Sequence, residues 1–287
     1  MRKIIERLLI FCIGIPAVYA LVFLLPFYMH LALNITVIVF SAIGALEFSF
    51  MLEKKNIKIS KIEAVILGML APLAVLITVS FNKPGLVIGI IILLGIFWAL
   101  LSAIFSKKEN INAIINRFSG CISIIVYPGF FMSWIVLMSK WNSSAAIFLF
   151  LLIVFFNDSA AWLFGTLFGK NNRGIIPVSP NKSIAGFIGG LTGSVLVAFG
   201  AFYLFPNVFP FSSSAVFSLP AAGIILGFLT GLFATLGDLA ESAIKRSCDF
   251  KDSGNLMLGR GGILDSIDSI AVAAPVYYLL FSLFFPG

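Results

Sequence analysis

The stretch "LGRGGILDSIDSIAVAAPVYYLLFSLFF", residues 258–285, decides how the chain folds. Its second part, "IAVAAPVYYLLFSLFF", is apolar enough to lie in lipid. Its first part sets two carboxylates, Asp265 and Asp268, just after a glycine-rich turn. The same apolar texture recurs along the whole chain of 287 residues, of which 60% are hydrophobic and only 11% charged. A soluble domain carries about 25% charged residues. The apolar residues come in runs of about 20, the length of helix that crosses ~30 Å of hydrocarbon. Strict alternation of apolar and polar residues, the mark of a membrane barrel, is nearly absent. The expected fold is therefore an all-α integral membrane protein, a polytopic helix bundle.

Nine spans are read, at 8–28, 31–52, 62–80, 85–105, 118–139, 144–165, 184–205, 216–241 and 262–284. Lys and Arg sort sharply between the connectors. The N-terminus and every second connector after it hold 17 of the 19 basic residues, and the opposite set holds only Lys83 and Lys140. Basic residues stay on the cytoplasmic side. This predicts a cytoplasmic N-terminus, an outer C-terminus and an odd number of spans. The net charge of +7 follows from that topology and from anionic lipid, and gives no reason to invoke nucleic acid.

Other readings are excluded or set aside. Cys12, Cys121 and Cys248 have no metal-ligand spacing and read as buried small hydrophobes. The lone His30 lies between two apolar runs, which argues against histidine-based catalysis. The N-terminal "MRKIIERLLIFCIGIPAVYA" mimics a signal peptide, but its apolar run continues, so a first span that stays attached is expected. No internal repeat supports an inverted-repeat transporter.

Acids in a membrane helix are costly, about 3 kcal/mol on insertion scales, and mark function. Asp158, Asp238, Glu241, Asp265 and Asp268 lie at or near the basic ends of spans, with Asp249 and Asp252 in the adjoining connector. Asp238, Glu241, Ser242 and Lys245 are spaced i, i+3, i+4, i+7, one face of a helix. Asp265 and Asp268 also share a face. Interfacial ion pairs with Lys245, Arg246, Lys251 and Arg260 are the structural alternative.

Carboxylates, lysines, arginines and glycines without histidine point to phosphate held by a hard cation. Mg²⁺ takes oxygen ligands and completes its shell with water and phosphate oxygens. In "GRGGILD" the glycines allow close backbone approach before a helix whose first turn carries Asp265. Glycines also let membrane helices pack closely. On the same side, Asn157 offers a carboxamide that could equally bond between helices. Lys182 can reach a phosphate, and Ser183 reads as a helix cap.

The stretch "SAIKRSCDFKDSGNLMLGRGGILDSID" resembles the signature of the phosphatidate cytidylyltransferases, or CDP-diacylglycerol synthases. Ser242, Lys245, Arg246, Lys251, Asp252, Gly254, Gly261, Gly262, Asp265 and Asp268 fall in its register. "GDLAES", "NDSAAWLFG" and "SPNKSIAG" resemble the family's other segments, so the resemblance covers residues 155–270. Three positions depart from the pattern: Arg260 stands where the family has His, Ser266 where it has Arg, and Leu258 where it has Pro.

The resemblance implies transfer of a cytidylyl group from CTP to phosphatidic acid, with CDP-diacylglycerol and pyrophosphate as products. It implies Mg²⁺, with a second cation left open. Asp265 and Asp238 would be the main metal ligands and Asp268 a supporting one. Lys245, Arg246, Lys251 and Arg260 would hold phosphates, with Lys182, Asn157, Ser242 and Asp252 as further substrate contacts. Gly261 and Gly262 would turn backbone amides toward phosphate. Residues 141–287 would carry catalysis and residues 1–140 the remaining membrane helices. The expected setting is a bacterial inner membrane, with the site on the cytoplasmic side and membrane lipid around it. A homodimer is left open. The rival readings are a CTP-dependent kinase of a polyprenol-type alcohol and a cation-coupled transporter.

The two departures in charge suggest compensation: the positive charge lost at Ser266 is resupplied by Arg260. Arg260→His combined with Ser266→Arg is then expected to keep more CDP-lipid synthesis than Arg260→His alone. A harmless single substitution refutes the compensation.

Overall fold

Helices form wherever the apolar runs are long, because lipid offers backbone amides and carbonyls no partner. The computed structural model describes residues 14–104, 114–209, 218–257 and 261–285. The basic N-terminal residues, Leu258 and Arg260 lie outside the described residues. Helix α1 (Gly14–Leu24) is followed by α2 (Phe27–Lys54), α3 (Lys61–Ser80), α4 (Leu86–Ile104), α5 (Ile114–Trp141), α6 (Ser144–Phe168), α7 (Ile184–Leu204), α8 (Leu219–Ser247) and α9 (Leu264–Phe284). Among the described residues there is no strand, only isolated bridges such as Arg173–Ser183. All of these helices except α1 and α4 are long and apolar enough to cross a membrane. The chain is an all-α polytopic membrane protein. Where the first and fourth spans were expected, the described apolar helices are shorter.

Contacts group the chain into two units. The first comprises residues 1–142 and 245–267, the second residues 143–244 and 268–287. Helices α8 and α9 each contribute to both.

In the first unit, α2, α3 and α5 meet around a broken helix. Pro128 has no N–H to donate, and α5 widens into a π-turn over Ile125–Phe130. The carbonyl of Pro128 finds the hydroxyl of Ser41, which also lies 3.0 Å from the carbonyl of Gly68. Gly129 is needed there, because a Cβ would sit 3.0 Å from the Gly68 carbonyl. Glu63, in the first turn of α3, takes the Arg117 guanidinium at 2.8 Å and the Trp98 indole N–H at 3.2 Å, which ties α3 to α4 and α5. At the start of α2, Tyr28, Met29 and His30 are left-handed (φ 50°, 56° and 57°), at a cost of about 1–2 kcal/mol each. The Asn34 amide holds this turn by donating to the Met29 carbonyl at 2.9 Å and the Ser139 hydroxyl at 3.3 Å.

In the second unit, glycines set the packing. On α7, a Cβ at Gly190 would lie 2.9 Å from the Asn157 side-chain oxygen, and one at Gly193 would lie 2.8 Å from the Cβ of Ala160. This is the small-residue close approach of membrane helices. On α8, Gly227 is pressed against the backbone of α7 in the same way: a Cβ there would lie 2.6 Å from the Ser194 carbonyl oxygen. Tyr277 of α9 is fully buried and donates to the Ala146 carbonyl of α6 at 2.7 Å. Gly190→Ala is expected to cost about 1–3 kcal/mol, the usual penalty of overpacking, read as a lowered melting temperature in detergent. An unchanged melting temperature would show that α6 and α7 have room to part.

Candidate active site

A membrane helix begins with backbone amides that the helix itself cannot satisfy. At the start of α9 they are satisfied by side chains of the first unit. The Gly262 amide donates to Asp265 Oδ2 at 2.7 Å. The Ile263 and Leu264 amides donate to the two oxygens of Glu47, at 3.0 and 2.8 Å. The Asp265 amide donates to the Ser253 hydroxyl at 3.3 Å. Negative charge is also favoured at a helix N-terminus.

Asp265 divides its two oxygens between different tasks. Oδ2 accepts the Ser253 amide at 2.8 Å, the Ser253 hydroxyl at 2.9 Å and the Gly262 amide. Oδ1 faces the ammonium of Lys245 in an ion pair. Both side chains are nearly buried, 6% exposed for Asp265 and 11% for Lys245. The ion-pair alternative therefore holds for this carboxylate. Gly261 is left-handed (φ +100°), and a Cβ on it would strike Asp265, so only glycine fits. The Gly261 amide donates to the Met257 carbonyl at 3.2 Å. In this structure the two glycine amides are thus committed within the chain, and the close approach that the glycines permit is that of Asp265.

The rest of the signature connector lies on the surface of the same unit. Helix α8 runs on to Ser247, past the expected end at 241, so Lys245 and Arg246 occupy its last turn, where basic residues suit the helix dipole. Arg246 is exposed and donates to the Phe250 carbonyl at 3.3 Å. Asp249 is left-handed (φ 62°) where the chain leaves α8. Its carboxyl is held below the usual carboxylate range by a hydrogen bond from Lys55, 2.9 Å away. Lys251 and Asp252 are exposed, with Asp252 beside Gly261. The Ser266 hydroxyl turns back to the Gly262 carbonyl at 3.2 Å.

The second unit gathers the other acids. The Asp268 carboxyl feels the charges of Asp238, Glu241 and Asp158. Glu241 and Asp268 are buried. Asp238 pairs with Lys182 at 2.7 Å. Gly237 lets α8 approach the Asp268 carbonyl. Ser242 is half-buried. Ser183 caps α7 by accepting the Gly186 amide at 3.0 Å, as expected. Asn157 is buried and works between helices, donating to Thr235 at 3.1 Å and accepting from Ser194 at 3.2 Å.

No three His, Cys, Asp or Glu side chains among the described residues stand in a metal-ligand arrangement. The donor chemistry nonetheless fits a hard divalent cation. Buried carboxylates in each other's field, with oxygen donors only, gain from a positive charge.

Sequence reasoning missed Glu47. It lies inside the expected span 31–52, in "GALEFSF", and is 4% exposed. The available signal was the same one used for the other acids, an ionisable group inside an apolar run. No local pattern ties Glu47 to a turn more than 200 residues away.

Comparison with known proteins extends the resemblance beyond the signature. The cytidylyltransferase family model matches residues 5–284. A phosphatidate cytidylyltransferase of Staphylococcus epidermidis is 32% identical over 222 residues, covering 74% of this chain and 78% of the relative. Those of Staphylococcus aureus and Staphylococcus saprophyticus are 36% and 34% identical over 170 residues. In both cases the match takes in 58% of this chain and 61% of the relative's length. With a match running from the first helices through the signature turn to the end of α9, the chain belongs to the cytidylyltransferase family.

Proposed function

We propose that the protein transfers a cytidylyl group from CTP to phosphatidic acid, giving CDP-diacylglycerol and pyrophosphate. A phosphate oxygen of phosphatidic acid attacks the α-phosphorus of CTP, and the bond to the departing pyrophosphate breaks. The nucleophile is already ionised at neutral pH, so no strong general base is required. The obstacle is electrostatic, since two polyanions must meet and a third must leave. Fixed cations answer this need. Within the first unit Lys245, Arg246 and Lys251 supply them; within the second, taken by itself, Lys182 does.

The observation that carries this reading is the divided carboxylate of Asp265. Three donors of its own unit hold Oδ2, while Oδ1 faces the cation Lys245. One oxygen is fixed by the fold and the other is committed to positive charge, an arrangement suited to exchanging partners when phosphates arrive. Bound Mg²⁺ would supply Lewis-acid neutralisation of phosphate charge. Within the second unit Asp238 and Asp268 are candidate ligands, with Asp158 and Glu241 in their field; within the first unit, taken by itself, Asp265 is one. Asp252 and Ser242 are reserved for substrate contacts.

The excess of basic residues in alternate connectors supports a cytoplasmic site, where CTP is present. The apolar helices and the bacterial relatives support a bacterial cytoplasmic membrane. The lipid head group would then meet the nucleotide at the membrane surface without its tails leaving the bilayer.

Purified protein given labelled CTP, phosphatidic acid and Mg²⁺ in detergent is expected to yield CDP-lipid and pyrophosphate. Phosphorylated lipid and CDP would instead indicate a kinase. Asp265→Asn is expected to lower turnover at least 100-fold, the scale on which loss of one electrostatic group slows an enzyme; it also leaves the nearly buried Lys245 unpaired and so lowers the melting temperature, and turnover is read well below that temperature, where the variant keeps its helical circular dichroism. Near-normal turnover in that variant would remove Asp265 from the reaction.

A further inference from the structure

We propose that Glu47 is a positioning residue for this reaction, acting through the signature turn to fix Asp265. The inference rests on the function proposed above and concerns a residue far from the signature in sequence. Glu47 is 4% exposed. It accepts the amides of Ile263 and Leu264 at 3.0 and 2.8 Å and lies 3.1 Å from the Ser253 hydroxyl. Ser253 in turn gives its amide and its hydroxyl to Asp265 Oδ2, at 2.8 and 2.9 Å. The chain of contacts runs from Glu47 through Ser253 and the turn amides to Asp265, and ends at Lys245.

Independent support comes from the glycines. A Cβ on Gly262 would collide with Glu47 Oε2, and one on Gly254 would lie 2.5 Å from Oε1. Both positions are therefore bare where the Glu47 carboxylate must enter. One turn earlier on α2, a Cβ on Gly44 would lie 3.3 Å from Leu264 and Ile267, so the bare glycine seats the start of α9 closely against the helix that carries Glu47. Lys55, at the end of the same helix, holds Asp249 of the connector at 2.9 Å. Helix α2 thus grips the signature segment at several points, and Glu47 is the buried charge among them.

A cap made of serine or asparagine would satisfy one amide. A carboxylate satisfies two amides at once and still meets a hydroxyl, so it fixes the turn's rotation as well as its end. Ser253 has a single hydroxyl proton to share between Glu47 and Asp265, which links the two acids directly.

Glu47→Gln keeps the size but replaces one acceptor by a donor, which must then face an amide N–H. With wild type active, the variant is expected to lose about tenfold or more in kcat, as misplaced reactive groups do, with KM for CTP changed less than threefold. Hydrogen exchange should rise about tenfold in the peptide covering residues 262–265 and stay unchanged in the rest of α2, α3 and α5. Ser41→Ala, which cuts a helix-packing bond in the same unit, should lower the melting temperature without either effect. In a double-mutant cycle, Ser253→Ala should add little to Glu47→Gln.

Turnover within twofold of wild type overturns the proposal. So does lost turnover with unchanged exchange at 262–265, a rise spread over the whole unit, or strictly additive losses with Ser253→Ala. If wild type makes no CDP-lipid, the reaction reading falls and with it the catalytic role, while the exchange measurement still decides whether Glu47 holds the turn.

Discussion

The first amides of α9 have no helical partner, and the structure depends on how the chain answers them. Water would do so at a soluble helix end. Here the answer is two carboxylates and a serine: Glu47 for Ile263 and Leu264, Asp265 for Gly262, and Ser253 for Asp265. Unsatisfied buried amides would cost about 1–3 kcal/mol each. Side chains that satisfy them also fix where the turn sits. The placement of Asp265 is therefore a consequence of backbone hydrogen bonding.

Glycine serves two ends in this chain. In the second unit, Gly190, Gly193 and Gly227 bring helix backbones close enough to pack without a hydrophobic driving force. In the first, Gly254, Gly261 and Gly262 clear space for carboxylates. The residue type is the same, and the neighbour it makes room for decides the use. Polar groups divide similarly. Asn157, Ser194 and Thr235 bond helices together, whereas Asp265 with Lys245 and Asp238 with Lys182 hold charge in reserve.

Pairs of that kind are costly to bury and are weak evidence for stability alone. In the proposed reaction each pair would keep a cation and a carboxylate ready, the Asp265–Lys245 pair nearly out of water and the Asp238–Lys182 pair partly exposed. In that proposal an arriving phosphate would compete for the lysine, and a cation for the acid.

The apolar runs dictated membrane helices, because any other backbone in lipid leaves its polar groups unpaired. The ordered spacing from Ser242 to Asp268 carried the family, and the acids at span ends carried the candidate site. Helix breaks were less legible. The π-turn at Pro128 and the left-handed turn at Tyr28–His30 rest on Ser41, Asn34 and Ser139, remote partners that no local pattern announces. Glu47 belongs with them. A buried carboxylate reads in sequence only as an expensive oddity, and its purpose appears once the fold brings the amides of Ile263 and Leu264 to it. Periodicity and spacing act along the chain and are written there. Hydrogen-bond partners distant in sequence are chosen by packing, and only the tertiary structure names them.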